Sequence, residues 1–364
     1  MNRQFLKHYA MAKPCGARCN LQCSYCYYRN NHPQTEWGVS KQDTEWLTAY
    51  IRQYIQLTPV GEEVVFIWHG GEPLLKPLAF YQEAVQLQKQ FADGHPISNI
   101  IQTNATLLQE EWCRFFHDEQ WTVGVSVDGP KEIHERYRGA SFQRTMQGVE
   151  WLQKYGVAYT IMGVITKESA LMPIEVYRFL RQLGTPFLQF EPQCEPHLPG
   201  RLSAEDFARF YCAVFDEWYV HDIGKVYVEL FDNTLAMLMG YPSSTCISSE
   251  QCGNALAIEM NGDVFACDHY VPELRLGNLF SESLLSLLSH PELGGLAAAK
   301  MPTAAACRSC EYLRLCYGGC PRYRDEEGKH ILCEGYKAFF RHTLPRFQQM
   351  SNAIQDPRPS PTLP

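Results

Sequence analysis

The chain has no long hydrophobic run and no block of basic charge. Its 364 residues carry a net charge of −8, and Lys and Arg are not concentrated in any one segment. No apolar stretch reaches the roughly 20 residues that a membrane-spanning helix needs. The polar start, Met1 to Lys7, lacks the apolar core of a signal peptide. We therefore expect no membrane association, no nucleic-acid partner and a cytoplasmic location.

Cysteine, in contrast, is abundant and unevenly placed. Fifteen cysteines occur, and a disulfide framework is not expected in a reducing compartment. Four fall in residues 15–26 and eight in residues 246–333, and only Cys113, Cys194 and Cys212 lie between them. Ligation of metal ions or iron–sulfur clusters explains such groups better. The distribution predicts separate metal centres towards the two ends of the chain. Cys113 and Cys212 lie on predicted helix faces, and we expect them to pack in the hydrophobic core.

Short β-rich runs alternate with amphipathic helical segments over the first two thirds of the chain. The predicted strands are Tyr9–Lys13, Val64–Trp68, Asn99–Thr103, Thr122–Val127, Ala158–Ile165 and Phe187–Phe190. The predicted helices are Lys41–Leu57, Leu78–Phe91, Glu110–His117, Phe142–Tyr155 and Ile174–Leu183. This alternation is typical of an α/β fold with a parallel sheet. Six such units predict a partial (β/α)6 TIM-like barrel, open rather than closed.

The remainder of the chain has a different character. Residues 203–239 are predicted to be helical, and Met260-Asn-Gly-Asp263 favours a hairpin turn. The segment after residue 300 is rich in cysteine and poor in regular pattern, so we expect its fold to depend on metal. We therefore predict a barrel with bridging helices over 1–235, a cysteine-rich C-terminal domain over 236–350, and a disordered tail over 351–364 that ends in the Pro-rich run from Asp356.

The first group of cysteines is Cys19-x3-Cys23-x2-Cys26, followed at once by an aromatic residue. A closed four-iron site takes four thiolates, whereas three ligands leave one iron open. A zinc site that also uses Cys15 is the alternative, although the spacing fits no common zinc pattern. The spacing resembles that of the radical S-adenosylmethionine (SAM) superfamily. This resemblance implies a [4Fe–4S] cluster whose open iron binds SAM and whose electron cleaves it to a 5′-deoxyadenosyl radical.

Further motifs follow the next three predicted strands, at the end of a parallel barrel where reactive groups lie. They are His69-Gly-Gly-Glu-Pro73, Gln102-Thr-Asn104 and Ser126-Val-Asp128. The resemblance implies cofactor binding by Tyr25, Gly70, Gly71, Glu72, Gln102, Asn104, Ser126 and Asp128. A glycine turn and helix capping are the alternative explanations. Relatives carry an arginine after the fourth strand for the SAM carboxylate, but here Gln147 falls at that place, with Arg144 nearby.

The C-terminal cysteines are too dense to be explained by core packing. Their pattern resembles the SPASM domain, an extension of radical SAM enzymes that modify peptides. The resemblance implies two auxiliary [4Fe–4S] clusters, one bound by Cys246, Cys252, Cys267 and Cys320 and the other by Cys307, Cys310, Cys316 and Cys333. With the SAM-binding cluster, this makes three. Two zinc sites with the same ligands are the alternative.

Over almost its whole length, the chain resembles the anaerobic sulfatase-maturating enzymes. The matching segments are 13–14, 68–75, 102–104, 126–130, 188–190, 267–271, 276–278, 316–321 and 332–336. The resemblance implies radical oxidation of a cysteine or serine in a sulfatase to formylglycine, by hydrogen abstraction from the substrate Cβ. It also implies a substrate with a Cys/Ser-x-Pro-x-Arg motif, an electron donor such as flavodoxin or ferredoxin, and a monomeric enzyme.

Asp268 matches the proton acceptor of that family, and a pKa raised by burial would suit this role. A turn or capping residue is the alternative. Gln189, Glu191 and Glu195 lie on or after the last predicted strand, where they either contact the peptide or are solvated loop residues. The alternative functions are a SPASM maturase that cross-links or oxidises another ribosomal peptide, and an iron–sulfur carrier without catalysis. The three-cysteine loop counts against the carrier.

Overall fold

The computed structural model describes residues 8–31, 43–302 and 304–355. The start of the chain, Met1 to Lys7, and the Pro-rich run from Asp356 lie outside the described residues. The expectations that Met1 to Lys7 are no signal peptide and that the run from Asp356 is disordered therefore stay predictions. Among the helices that the structure describes, none is both long and apolar enough to cross a membrane.

All six predicted barrel strands are present, with ends within two residues of the prediction. The strands are β1 Tyr9–Lys13, β2 Val64–Trp68, β3 Ile97–Thr103, β4 Thr122–Ser126, β5 Ala158–Ile165, β6 Phe187–Pro192, β7 Tyr227–Val228, β8 Ala255–Glu259, β9 Asp263–Phe265 and β10 Arg275–Asn278. The predicted hairpin is the turn between β8 and β9, where Gly262 has a φ of 88°. A residue with a Cβ is strained in that conformation, which explains the glycine.

The helices include the five that are predicted over the barrel, together with others that the sequence analysis does not predict. They are α1 Tyr27–Asn31, α2 Asp43–Leu57, α3 Leu78–Phe91, α4 Glu110–Asp118, α5 Lys131–Arg138, α6 Phe142–Lys154, α7 Pro173–Arg181, α8 Ala204–His221, α9 Glu229–Leu238, α10 Leu284–Leu287, α11 Pro291–Lys300, α12 Ala305–Arg308, α13 Leu313–Cys316 and α14 Cys333–Gln355. The short α5 was not predicted. The helical stretch 203–239 is two helices separated by β7, and the long α14 was also missed.

The described chain divides into two compact units. The first comprises the chain up to Met162, together with His197–Pro199 and Gln251–Ala299. Its strand order is β10-β9-β8-β1-β2-β3-β4-β5, with β8 and β1 to β5 parallel and with β9 and β10 antiparallel. The strands described here form no closed eight-stranded barrel. The predicted α/β fold with an open partial barrel is therefore confirmed.

Aromatic packing fills the core of the first unit. Trp68, the last residue of β2, is fully buried and contacts Tyr50 of α2, Tyr81 of α3 and Trp121 before β4, with ring centroids 5.6–6.0 Å apart. Its indole N–H donates to Asn99 Oδ1 of β3 at 2.8 Å, so its one polar atom has a partner. This packing fixes α2 and α3 on the sheet and leaves the carboxyl ends of the strands to the loops that follow them.

The second unit comprises Gly163–Pro196, Gly200–Glu250 and the chain from Lys300 onwards. In it, β6 and β7 are parallel, and α8 and α9 pack against α14. A capping box of Ser203 and Asp206 begins α8 and satisfies backbone N–H groups of its first turn. The ring of Phe215 in α8 lies 4.8 Å from that of Phe347 in α14.

The C-terminal helix corrects one predicted boundary. Because Phe347 and Ser351 are buried, the packed face of α14 continues beyond residue 350, and the helix ends at Gln355. The predicted disordered tail from residue 351 is therefore wrong for residues 351–355. The two compact units also interleave along the chain, so they do not test the predicted domain boundary at 235/236, which stays a prediction.

Candidate functional site

The first cysteine group lies in the loop that joins β1 to α1. Cys23 O accepts from Cys26 N at 3.1 Å, and the sulfur atoms of Cys19 and Cys26 accept from the backbone N–H groups of Leu21 and Arg29 at 3.3 and 3.4 Å. Each of the three thiols lies within electrostatic range of the others. Burial raises the pKa of Cys19 to about 11. A metal that binds there would have to displace the thiol protons of the ligating cysteines, because the thiolate is the metal ligand.

The glycine pair after β2 packs directly on this loop. Gly71 N donates to Gly16 O at 2.7 Å, and a Cβ atom on Gly71 would lie only 2.1 Å from Arg18 O. A side chain at position 71 would therefore displace the cysteine loop. The glycines are required by this close approach of two backbones, which places the predicted SAM-binding segment beside the predicted cluster ligands.

Glu72 has a structural role that the sequence did not indicate. Its side chain is fully buried and accepts hydrogen bonds from Leu74 N at 3.0 Å, Thr103 Oγ1 at 2.7 Å and Asn104 N at 2.9 Å. Burial raises its pKa to about 7, against the lowering effect of these donors. The carboxylate thus ties the end of β2 to the end of β3. Its predicted contact with SAM stays a prediction.

Polar side chains at the ends of β3 and β4 continue the same site. Asn104 Nδ2 donates to Asn20 Oδ1 at 2.9 Å and lies 3.7 Å from the sulfur of Cys19. Gln102 Nε2 donates to Ser126 Oγ at 3.0 Å. The structure therefore brings Asn104, after β3, next to the cysteine loop and links Gln102 of β3 to Ser126 at the end of β4.

Asp128 forms a buried ion pair with Arg138, the last residue of α5. The guanidinium donates to both carboxylate oxygens at 2.9 and 3.0 Å, and the Tyr25 hydroxyl donates to Asp128 Oδ2 at 2.5 Å. Although burial raises the pKa of Asp128, the pairing with Arg138 lowers it overall. The charge of Arg138 also acts on Cys23.

Arg138 is the cation of this site that the sequence analysis missed. Gln147, which the sequence analysis places where relatives have an arginine, and the nearby Arg144 are both exposed on α6, and Gln147 donates to Glu150 at 2.9 Å. Arg138 was missed because α5 was not predicted. Helix α5 turns back towards the end of β4 and places its final arginine beside Asp128. An arginine ten residues after the aspartate was the available signal.

Asp268 lies beside the cysteine loop within the first unit. Lys13, fully buried at the end of β1, forms an ion pair with one carboxylate oxygen, and the Tyr27 hydroxyl donates to the other. Lys13 Nζ also lies 3.2 Å from His69 Nδ1, and it sits 4.4 Å from the centre of the Tyr28 ring. Lys13 and Tyr27 thus join the predicted base to the loop that carries Cys26.

The expectation that the pKa of Asp268 is raised is wrong. Burial does act in that direction, but Lys13, His69 and His269 together lower the pKa overall. Asp268 is therefore an ionised carboxylate held by a lysine. The same surroundings, burial first and Lys13 second, lower the pKa of His69 to about 3. In the sequence, Lys13 belongs to the matching segment 13–14 and ends the first strand, but nothing there indicates its ion pair with Asp268.

Four of the predicted C-terminal ligands line one cavity of the second unit. We call it the four-cysteine cavity, and its cysteines are Cys307, Cys310, Cys316 and Cys333. Tyr312, Tyr336, Phe340 and His330 complete much of its wall. The thiol of Cys316 lies within electrostatic range of the other three, and burial raises its pKa to about 11.

Cys246 and Cys320, assigned to the other auxiliary site, lie near each other in the second unit. The two thiols interact electrostatically, and the buried Lys300 donates to the carbonyls of Cys246, Ile247 and Gly319 at 3.2, 2.8 and 2.9 Å. The two remaining assigned ligands, at positions 252 and 267, belong to the first unit.

The described residues include no group of three or more His, Cys, Asp or Glu arranged to hold a single metal ion. A four-iron cluster is larger than one ion, so its thiolates stand further apart.

The other singled-out residues have local partners. Cys15 is buried and its sulfur lies 3.8 Å from Pro73 O, and Cys113 is buried in α4. In the second unit, Glu195 is largely buried and accepts from the Tyr323 hydroxyl at 2.8 Å. Glu191 is exposed, and Gln189 donates to it at 2.7 Å.

Comparison with known families gives two matches. Residues 14–180 match the radical SAM superfamily, and residues 246–311 match an iron–sulfur cluster-binding domain, SPASM. The first match covers the cysteine loop and the glycine pair. The second covers the hairpin and part of the cysteine-rich region.

Individual relatives match nearly the whole chain. A serine-type anaerobic sulfatase-maturating enzyme of Bacteroides thetaiotaomicron is 38% identical over 96% of this chain and 92% of its own. A cysteine-type anaerobic sulfatase-maturating enzyme of Clostridium perfringens is 29% identical over 95% of this chain and 98% of its own. The solved structure of native anSMEcpe with bound AdoMet has a TM-score of 0.87 and 30% identity, covering 95% of this chain and 99% of that one.

Proposed function

Because the chain belongs to the anaerobic sulfatase-maturating enzymes of the radical SAM superfamily, we propose that it oxidises a serine or cysteine of a sulfatase to formylglycine. As a radical SAM enzyme with a SPASM domain, it uses SAM and iron–sulfur clusters. The substrate is a polypeptide carrying a Cys/Ser-x-Pro-x-Arg motif. The serine-type relative is 38% identical to this chain, whereas the cysteine-type relative is 29% identical. This difference favours serine as the first target to test.

The observation that carries this proposal is the position of Asp268. Tyr27 follows directly after Cys26 and donates its hydroxyl hydrogen to Asp268. The candidate proton acceptor therefore adjoins the loop of the candidate SAM-binding cluster, where a hydrogen-abstraction reaction needs it.

The residues present fit the cofactors that the family implies. The three-thiol loop, with the glycine backbone packed against it, would hold the SAM-binding cluster and SAM. The four-cysteine cavity would hold one auxiliary cluster. Its wall includes a buried polar atom, Nε2 of His330, that has no hydrogen-bond partner among the described residues. For the other auxiliary cluster, the resemblance to the family alone implies Cys246, Cys252, Cys267 and Cys320 as ligands, which would make three [4Fe–4S] clusters in all.

When bound, the clusters and SAM supply the 5′-deoxyadenosyl radical that removes a hydrogen from the substrate Cβ and a path for the electron that leaves. The residues of this chain position the reactants. Glu72 holds the ends of β2 and β3 together, Arg138 fixes Asp128 and Tyr25 beside the cysteine loop, and Asp268 accepts the hydroxyl or thiol proton. Lys13 holds the Asp268 carboxylate in place.

The proposal also includes the electron donor, the oligomeric state and the location of the enzyme. A flavodoxin or ferredoxin would donate the electron for SAM cleavage, the enzyme would act as a monomer, and its location would be the cytoplasm. The location follows from the many cysteines, which a reducing compartment keeps as thiols, whereas the donor and the monomeric state are what the resemblance to the family implies.

The test uses anaerobically reconstituted full-length protein with SAM, dithionite and paired peptides that differ only in Ser or Cys at the target position. We expect 5′-deoxyadenosine together with an aldehyde product, detected by mass spectrometry and by hydrazine trapping. The Cys19→Ala variant should lose both products. The Asp268→Asn variant should still cleave SAM but lose most of the aldehyde.

Two outcomes would contradict parts of the proposal. If the wild type formed no 5′-deoxyadenosine, the radical mechanism would be ruled out. Formation of 5′-deoxyadenosine without aldehyde from either peptide would favour the alternative, a SPASM maturase that cross-links or oxidises another ribosomal peptide.

A further inference from the structure

The four-cysteine cavity contains a buried histidine that the proposed reaction does not use. His330 is 4% exposed and its ring lines the cavity wall. Its Nδ1 accepts a hydrogen bond from Leu332 N at 3.1 Å. Its Nε2 is buried and has no partner among the described residues. A buried polar atom of this kind destabilises the fold unless a ligand supplies the missing partner.

The bond to Nδ1 determines the tautomer of the ring. A backbone N–H can only donate, so Nδ1 must present its lone pair to Leu332, and the hydrogen of the neutral ring is then on Nε2. The same bond keeps the ring neutral, because a protonated ring would carry a second hydrogen on Nδ1 that would face the Leu332 N–H. His330 therefore presents an N–H donor at Nε2.

This tautomer also excludes His330 as a metal ligand. Coordination through Nε2 would require the ring hydrogen on Nδ1, where it would face the Leu332 N–H, a second donor. The packing leaves little room for another orientation of the ring. A Cβ atom on Gly319 would lie 2.3 Å from His330 Cδ2, and the Tyr336 ring centre is 5.8 Å from that of His330.

We propose that His330 donates a hydrogen bond from Nε2–H to a sulfur atom of the iron–sulfur cluster held by the four-cysteine cavity. The inference rests on the cluster assignment made under the proposed function. A donor interacts more strongly with the reduced cluster, which carries more negative charge, than with the oxidised one. His330 therefore raises the reduction potential of this cluster.

The first test replaces the donor and measures the cluster potential. His330→Leu removes the donor, and His330→Gln keeps an N–H donor on a neutral side chain of similar length. The control, His95→Leu, removes a buried histidine of the first unit whose Nδ1 lies 2.8 Å from Glu62 O. Full-length reconstituted protein is titrated anaerobically, and the reduced clusters are followed by electron paramagnetic resonance.

We expect His330→Leu to lower the equilibrium constant for reduction of one cluster about tenfold, which corresponds to about 59 mV for one electron. His330→Gln should stay within about threefold of the wild type. His95→Leu should leave every potential unchanged. An unchanged potential in His330→Leu, with the iron content intact, would overturn the inference.

The second test detects the nitrogen itself. In protein labelled with [15N]histidine, electron–nuclear double resonance on the reduced clusters should show a weak 15N coupling that disappears in His330→Leu. A strong coupling typical of directly bonded nitrogen would show a ligand instead of a donor and would overturn the inference.

Neither readout depends on peptide oxidation, so failure of the proposed activity is recorded separately from failure of this hydrogen bond. The cluster assignment itself is checked with Cys316→Ala. If that variant kept its full iron content, the assignment and the inference would both be wrong.

Discussion

The pair of Asp128 and Arg138 offers a direct test of how the site is held together. Replacing Arg138 by Met keeps most of the apolar stem and removes the guanidinium. The two hydrogen bonds at 2.9 and 3.0 Å are lost, and a carboxylate that is 1% exposed remains without its cation. Breaking a buried ion pair from one side destabilises a protein by about 3–5 kcal/mol. With roughly 2–4 °C per kcal/mol for a unit of this size, the unfolding midpoint should fall by about 6–20 °C.

A matched control is available on the next helix. Arg144 is exposed on α6, so Arg144→Met should change stability by less than about 0.5 kcal/mol. Adding Asp128→Asn to Arg138→Met removes the orphaned charge, and the double variant should be more stable than the sum of the two single changes predicts. Anaerobic calorimetry of reconstituted protein gives the midpoints, and 5′-deoxyadenosine formation reports the effect on the cysteine loop.

The pH dependence has a definite sign. Since the pKa of Asp128 in the folded protein lies below its ordinary value of 3.8, the pairing stabilises the fold fully above that value and less as the pH falls below it. The difference between wild type and Arg138→Met should therefore be complete at neutral pH. If Arg138→Met unfolds at the same temperature as Arg144→Met, the buried pair does not hold the site and the reasoning is refuted.

Three further predictions concern other parts of the site. Gly71→Ala should lose SAM cleavage because its Cβ would lie 2.1 Å from a backbone oxygen of the cysteine loop, whereas Gly294→Ala, which points into open space, should be active. Cys316→Ala should lose about one third of the iron, one four-iron cluster of three, and Cys113→Ala should lose none. Glu259 has a pKa raised by burial from 4.5 to about 8, so the wild type should lose stability as the pH rises through that interval while Glu259→Gln does not; parallel pH profiles of the unfolding midpoint would contradict this.

The strand ends of the site were predictable because the signals are local. Alternating apolar runs located six strands, and the order of parallel strands places the residues after β2, β3 and β4 at one end of the sheet. The pattern of residues alone therefore places the cysteine loop and the glycine pair at the same end of the sheet. The distance of 2.1 Å between a Cβ at position 71 and Arg18 O explains in physical terms why glycine is needed there.

The charged partners were not predictable because they depend on contacts between distant segments. Lys13 and Asp268 are 255 positions apart in the sequence and meet because β8 pairs with β1, with Lys13 opposite Glu259. No period or spacing in the sequence encodes that pairing. Arg138 was missed for a different reason. Its helix is only eight residues long, and a helix of two turns gives too weak a periodic signal to be recognised.

The lowered pKa of Asp268 changes how its role in the proposed reaction is understood. A carboxylate paired with a buried lysine is a weak base, too weak to take the proton of an ordinary serine hydroxyl. Once hydrogen abstraction has left an unpaired electron on the neighbouring carbon, the same hydroxyl becomes far more acidic, and a weak base is then sufficient. The ion pair with Lys13 therefore suits a base that acts after hydrogen abstraction, and it keeps the carboxylate ionised and fixed until that moment. A carboxyl group with a raised pKa, as the sequence suggested, would be protonated in part of the molecules before the reaction begins.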